Sequence, residues 1–102
     1  MNNKEKVLST LGLVYKASGI VSGEEMALDA IRKNRAKLIF LASDAGDSTA
    51  KRVSDKSAFY NVPINRSFSG QELSHAIGKA NRKVIAVTDA KLAALLEKTA
   101  NE

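Results

Sequence analysis

Apolar residues recur along this chain with two different periods. Near the N-terminus Val7, Leu8, Leu11, Val14, Tyr15 and Ser18 fall at helical spacing, with Asn3 as a candidate cap and Gly19 as a stop. Ile20-Val21 reads as a short extended piece. Ser22-Gly-Glu-Glu25 follows, and Ser with Glu three residues later is a capping-box pattern. The helix it opens would put Met26, Ala27, Ala30 and Ile31 on an inward face, with Glu25, Asp29, Arg32 and Lys33 on another. Leu38-Ile-Phe-Leu-Ala42 is an unbroken apolar run of strand length, which predicts a strand covered on both faces.

The alternation continues to the C-terminus. Asp44 to Ser48 reads as a loop ending in a helix cap, and Ala50, Val53, Ser57 and Tyr60 fit the helix behind it. Val62-Pro63-Ile64 predicts a short or edge strand, because proline cannot donate to a sheet ladder. Ser69-Gly-Gln-Glu72 is a second capping box, and Leu73, Ala76 and Ile77 should face inward from its helix. Gly78 ends it, Lys79 to Lys83 form a polar basic loop, and Val84 to Val87 form another buried strand. Thr88 or Asp89 would cap a last helix packing through Leu92, Leu95 and Leu96. Helices and strands in this order mean an α/β fold with helices on both sheet faces.

Composition narrows the function classes. At 102 residues, 44% hydrophobic and 26% charged, the chain is expected to form one globular domain over 1–102. Nothing approaches the roughly 18 apolar residues of a membrane span, and no charged-then-apolar stretch marks a secretion signal, so none is expected. No membrane partner and a cytoplasmic location are therefore expected. With no Cys, disulfides, thiolate metal sites and thiol catalysis drop out together. The single His75 lies inside a predicted amphipathic helix, where it reads as a surface or packing residue. Neither a phosphate loop nor a dinucleotide fingerprint appears, and Asp44 and Asp47 read as turn formers. The expectation is a non-enzymatic protein that needs no cofactor and no metal.

Charge supplies the positive clue. Sixteen Lys and Arg against eleven Asp and Glu give a net charge of +5. The excess lies between Ala30 and Lys83, where eleven basic residues face four acids for a net +7. Clustered Lys and Arg on a chain with an isoelectric point near 9.6 form the usual footprint of a nucleic-acid binder.

Three segments, read together, carry a resemblance. They are Gly23-Glu-Glu-Met-Ala-Leu-Asp-Ala-Ile-Arg-Lys33, then Ala36-Lys-Leu-Ile-Phe-Leu-Ala-Ser-Asp-Ala45, and Asn61-Val-Pro63 leading into Leu73-Ser-His-Ala-Ile-Gly78. From about Leu11 to Thr88 the chain resembles the ribosomal protein family called L7Ae, whose members bind kink-turn RNA, and within it the small bacterial members. The resemblance implies a three-layer α/β/α sandwich on a four-stranded mixed sheet. It also implies one domain binding structured RNA, kink-turn-like or similarly bent, with ribosomal RNA and ribosome or translation proteins as candidate partners.

The implied RNA site has three parts: the helix start after Gly23, the loop after the Leu38–Ala42 strand, and the loop between Gly78 and Val84. On that basis Gly23, Glu24, Glu25, Arg32, Lys33, Lys79, Asn81, Arg82 and Lys83 are the candidate RNA contacts. A helix N-terminus suits the task, since its free N–H groups and positive dipole end favour phosphate. Departures from the family pattern stand at this helix. Where the family has Asn, Glu and Lys, this chain has Glu25, Met26 and Asp29. Glu25 can still accept from a guanine amino group, or bond back to a cap at Ser22. Asp29 would oppose a phosphate where lysine would pair with it. The apolar residue usual in the last loop is reduced to Ala80 and Val84.

Overall fold

The computed structural model describes residues 2–102. Five helices and four strands follow in the order α1 (Asn3–Lys16), β1 (Ile20–Ser22), α2 (Glu24–Arg32), β2 (Leu38–Leu41), α3 (Asp47–Phe59), β3 (Ile64–Asn65), α4 (Gly70–Ile77), β4 (Val84–Val87) and α5 (Ala90–Ala100). The sheet order is β1-β4-β2-β3. Strand β4 pairs antiparallel with both β1 and β2, whereas β3 pairs parallel with β2. This is the mixed four-stranded sheet that the resemblance implied, with the Pro63 strand at an edge.

The two central strands explain the layers. All four residues of β2 and all four of β4 are buried. Alternation sends Leu38, Phe40, Ile85 and Val87 into one core with Val7, Leu11 and Val14 of α1, Leu73 and Ile77 of α4, and Ala93 and Leu96 of α5. Ile39, Leu41, Val84 and Ala86 enter a second core with Ala27, Leu28 and Ile31 of α2 and Val53 of α3. Each such large apolar side chain contributes about 1.5–3 kcal/mol on burial, so two cores back to back fix the sandwich. No helix among the described residues is long and apolar enough to cross a membrane.

Helix ends mostly follow local chemistry, but some caps and some buried positions differ from expectation. Asn2, one residue before the expected Asn3, caps α1 in a capping box with Glu5. Gly46 precedes α3 without any side-chain cap, so Ser48 lies inside the helix. Met26 and Leu95 are exposed at 55% and 47%, where core positions were expected. The buried stripe of α2 runs through Ala27, Leu28, Ala30 and Ile31, rotated toward α3, which turns Met26 outward. Helix α5 buries Ala93 and Leu96, and Leu95 falls about 100° away from Leu96 on the wheel. Ser69, Gly78 and Asp89 cap as their sequences predict, with Gly78 in the left-handed conformation at φ 70°.

Candidate nucleic-acid interface

Antiparallel pairing brings three chain segments to one end of the sheet. Ser22 at the end of β1 lies opposite Ile85, and Leu41 at the end of β2 lies opposite Val84. At that end the chain turns into α2 through Gly23, leaves β2 toward α3 through Ala42–Gly46, and enters β4 from the 78–83 loop. Two backbone bonds tie them together: Gly23 N–H donates to the Val84 carbonyl at 2.9 Å, and Ala42 N–H to the Lys83 carbonyl at 2.8 Å.

The start of α2 is built differently from its sequence motif. The cap residue is Gly23, at φ 98°, and no side chain caps the helix. A Cβ-bearing residue rarely adopts that conformation, so glycine is what lets the strand turn directly into the helix. Ser22 stays in β1, paired with Ile85, and the expected Ser22–Glu25 box does not form. Glu25 is exposed, its carboxylate 3.9 Å from the Arg52 guanidinium. Glu24 turns inward instead. Thr49 Oγ1 donates to it at 2.6 Å, and Arg52 of α3 pairs with it, which fastens the first turns of α2 and α3 together. Further along, Asp29 and Lys33 pair at 3.1 Å along the helix. Arg32 lines a cleft with Leu28, Arg52, Lys56 and the exposed Phe59.

The basic loop is held from three sides. The Lys79 ammonium lies 5.7 Å from the centre of the Tyr15 ring. Arg82 N–H donates to Ser74 Oγ at 2.8 Å, which pins the loop's middle to α4. Asn81 takes the left-handed conformation at φ 55°, which asparagine tolerates better than most residues. Lys83 Nζ pairs with Asp44 at 3.0 Å, and the other oxygen of Asp44 accepts from Gly70 N–H at 2.8 Å. Those two bonds, the Gly70 amide first, hold the Asp44 carboxyl below the usual carboxylate range. Lys79, Asn81, Lys83, Asp44 and Ser74 line a cleft of about 360 Å³ between loop and helix. Val84 is fully buried in the sheet, which leaves Ala80 as the loop's apolar exposed residue.

Of the nine candidates, Gly23 and Glu24 share the sheet end with Lys79, Asn81, Arg82 and Lys83, with Glu25 exposed beside them. Arg32 and Lys33 lie at the opposite end of α2. Sequence reasoning missed Asp44, Thr49, Arg52 and Ser74, which position the candidates. Asp44 meets Lys83 across 39 residues of chain and Thr49 meets Glu24 across 25, separations that leave no local pattern to read. Four cations of the +7 stretch therefore carry acid partners: Lys33 with Asp29, Lys51 with Asp55, Lys83 with Asp44, and Arg52 with Glu24. The Lys33, Lys51 and Lys83 pairs are exposed and hold weakly, whereas the Glu24–Arg52 pair is partly buried and reinforced by Thr49.

The sheet order, the two helical layers and this loop-built end define a small α/β/α domain with a basic end. Residues 5–97 match the model of the Ribosomal protein L7Ae/L30e/S12e/Gadd45 family, and the chain belongs to that family. It is 40% identical over 87 residues to the RNA-binding protein YlxQ of Enterococcus faecium, covering 85% of this chain and 84% of that one. To the RNA-binding protein YlxQ of Bacillus subtilis it is 47% identical over 79 residues, 78% and 79% of the two chains. A solved Bacillus halodurans protein of unknown function superposes with a TM-score of 0.90 at 38% identity, covering 95% of this chain and 98% of that one. The Giardia lamblia 15.5kD RNA binding protein shares the fold, with a TM-score of 0.80 at 17% identity over 97% of this chain and 85% of that one.

Proposed function

We propose that this protein binds structured RNA of the kink-turn type without catalysing a reaction, in a ribosomal or translational setting in the cytoplasm. The observation that carries the reading is the convergence at one sheet end of an uncapped α2 start and the 79–83 loop, tied by the Gly23–Val84 and Ala42–Lys83 backbone bonds. The relatives named as RNA-binding proteins support it. Gly23, Glu24 and Glu25 would meet the bent helix, the α2 N–H groups facing phosphate or base edges. Lys79, Asn81, Arg82 and Lys83 would hold the backbone and an unstacked nucleotide. Arg32 and Lys33 would extend the phosphate track along α2. No cofactor or metal is required. The test is a titration against a standard kink-turn and the same RNA with its G·A pairs replaced. Preference for the kink-turn supports the reading, and equal affinity contradicts selective binding. Affinity for the kink-turn should also fall as salt rises, because cation–phosphate contacts release counterions, and a flat salt response would contradict phosphate contact.

One observation favours a second reading. The acids on Lys33, Lys83 and Arg52 weaken the free positive field of the site. A ribosome-associated or protein-interaction accessory domain that kept the fold but lost kink-turn selectivity would carry such a surface. The same titration separates the two.

A further inference from the structure

Helices α1 and α4 enclose a groove of about 640 Å³ on the flank of the candidate site. The two helices meet closely at Gly12, where a Cβ would fall 2.8 Å from the Ala76 carbonyl oxygen. Leu8, Leu13, Tyr15 and Ile77 supply the apolar lining, with Lys16 and His75 beside them. No Asp or Glu lines it among the described residues. Leu13 is 65% exposed and Tyr15 is half-buried, so apolar surface here faces solvent.

The groove continues the candidate interface. His75 lines both this groove and the cleft beside the 79–83 loop. Lys79, which lines that cleft, reaches back to the Tyr15 ring at 5.7 Å. A path therefore runs from the loop across His75 onto Tyr15 and Leu13, with Lys79 and Lys16 beside it; the acid of the loop cleft, Asp44, is paired with Lys83, and no acid lines the groove itself.

We propose that the α1–α4 groove takes the next unpaired nucleotides of the RNA bound at the 79–83 loop. This rests on the reading above and adds a single-stranded segment to the ligand. An unpaired nucleotide offers an apolar base face and an anionic phosphate. The groove offers Tyr15 and Leu13 to the first, and Lys16 and Lys79 to the second. Single-strand binders combine these two features, aromatic or apolar platforms with cations along the backbone.

The test compares two RNAs on the intact chain: a kink-turn with a three-nucleotide bulge, and the same RNA with three uridines added to that bulge. The readout is the ratio of their dissociation constants within each protein, which cancels differences common to the proteins. The wild-type chain should bind the extended RNA about tenfold more tightly, in the range a stacked base supplies. Tyr15→Ala should bring the ratio near one. Leu13→Ser, at an exposed position that leaves the cores intact, should reduce it as well, with the shorter RNA bound within twofold of wild type. As a second readout, 4-thiouridine in the added positions should cross-link to residues 13–16 or 75–79. A wild-type ratio of one, or an equal ratio in all three proteins, overturns the groove as an RNA site while binding of the shorter RNA leaves the proposed function standing. Failure of the wild type to bind either RNA overturns both.

Discussion

Two helices of this protein begin with the same four-residue pattern, Ser-Gly-x-Glu, and the fold treats them in opposite ways. At α4 the pattern does what its chemistry allows. Ser69 Oγ accepts from Glu72 N–H, Glu72 accepts from Ser69 N–H, and Asp44 takes the N–H of Gly70. At α2 the serine belongs to a strand, the glycine turns the chain, and no side chain caps the helix. The first helix start is satisfied from within the molecule. The second has no side-chain acceptor for its first-turn donors, next to the cationic loop. A motif of adjacent residues thus specifies a cap only where the preceding residue is free to leave the sheet.

The contrast can be broken in several ways, and the largest effect should come from the loop. Replacing Lys79, Arg82 and Lys83 together with Ala should weaken kink-turn binding at least tenfold in a filter-binding titration. Each loop change of this sort costs about 0.5 kcal/mol or less and loss of the Lys83–Asp44 pair a comparable amount, so the variant should remain folded. Unchanged affinity in the folded triple variant would move the site to Arg32, Lys33 and the α2–α3 cleft. Next in size is the cap. Ser69→Ala should cost about 1 kcal/mol by chemical denaturation, the usual loss for an N-cap serine. Ser22→Ala, with no cap to lose, should cost less than about half of that, and equal losses would mean that both boxes form in solution.

Acid should sharpen the contrast most gently. Asp44 is held below its ordinary pKa by the Gly70 amide and Lys83, and Glu72 by the Ser69 amide and Lys4. A carboxyl depressed in the folded state stabilises the protein above its unfolded pKa, about 4, and loses that contribution as pH falls through the lower folded value. Thermal stability should therefore decline below about pH 4. Asp44→Asn should be less stable than wild type at pH 6 and should lose less on going from pH 5 to pH 3. Parallel declines in the two proteins would show that this link at the α4 start contributes nothing.

Much of the architecture is legible in the sequence because it is local. The unbroken apolar runs at 38–42 and 84–87 identify the two central strands, and Pro63 identifies the edge. Ser69, Gly78 and Asp89 cap as written because each bonds within a few residues of itself. What the sequence hides is of two kinds. The rotation of a helix about its axis depends on which neighbour it packs against, and that decides Met26 and Leu95. The partners of Glu24 and Lys83 lie on other elements, so no spacing rule finds Thr49, Arg52 or Asp44. The candidate contacts could be named residue by residue from the family pattern, and the i,i+4 pair Asp29–Lys33 lies on the one helix face the sequence assigns to both, whereas the pairing of Lys83 with Asp44 required the structure.

The central claim is that the open start of α2 meets kink-turn RNA, and Asp29→Lys tests it most directly. In the wild-type chain Asp29 both replaces the family's lysine and occupies Lys33 at 3.1 Å. The substitution places one cation beside the phosphate track and releases another. Asp29 lies past the first turn of α2, where the helix dipole penalises a lysine little, and folding is measured alongside as a control. The account predicts tighter binding to the kink-turn, with a salt dependence steeper by close to one unit per added phosphate contact, and little gain on the RNA with its G·A pairs replaced. No change, or an equal gain on both RNAs, would contradict it.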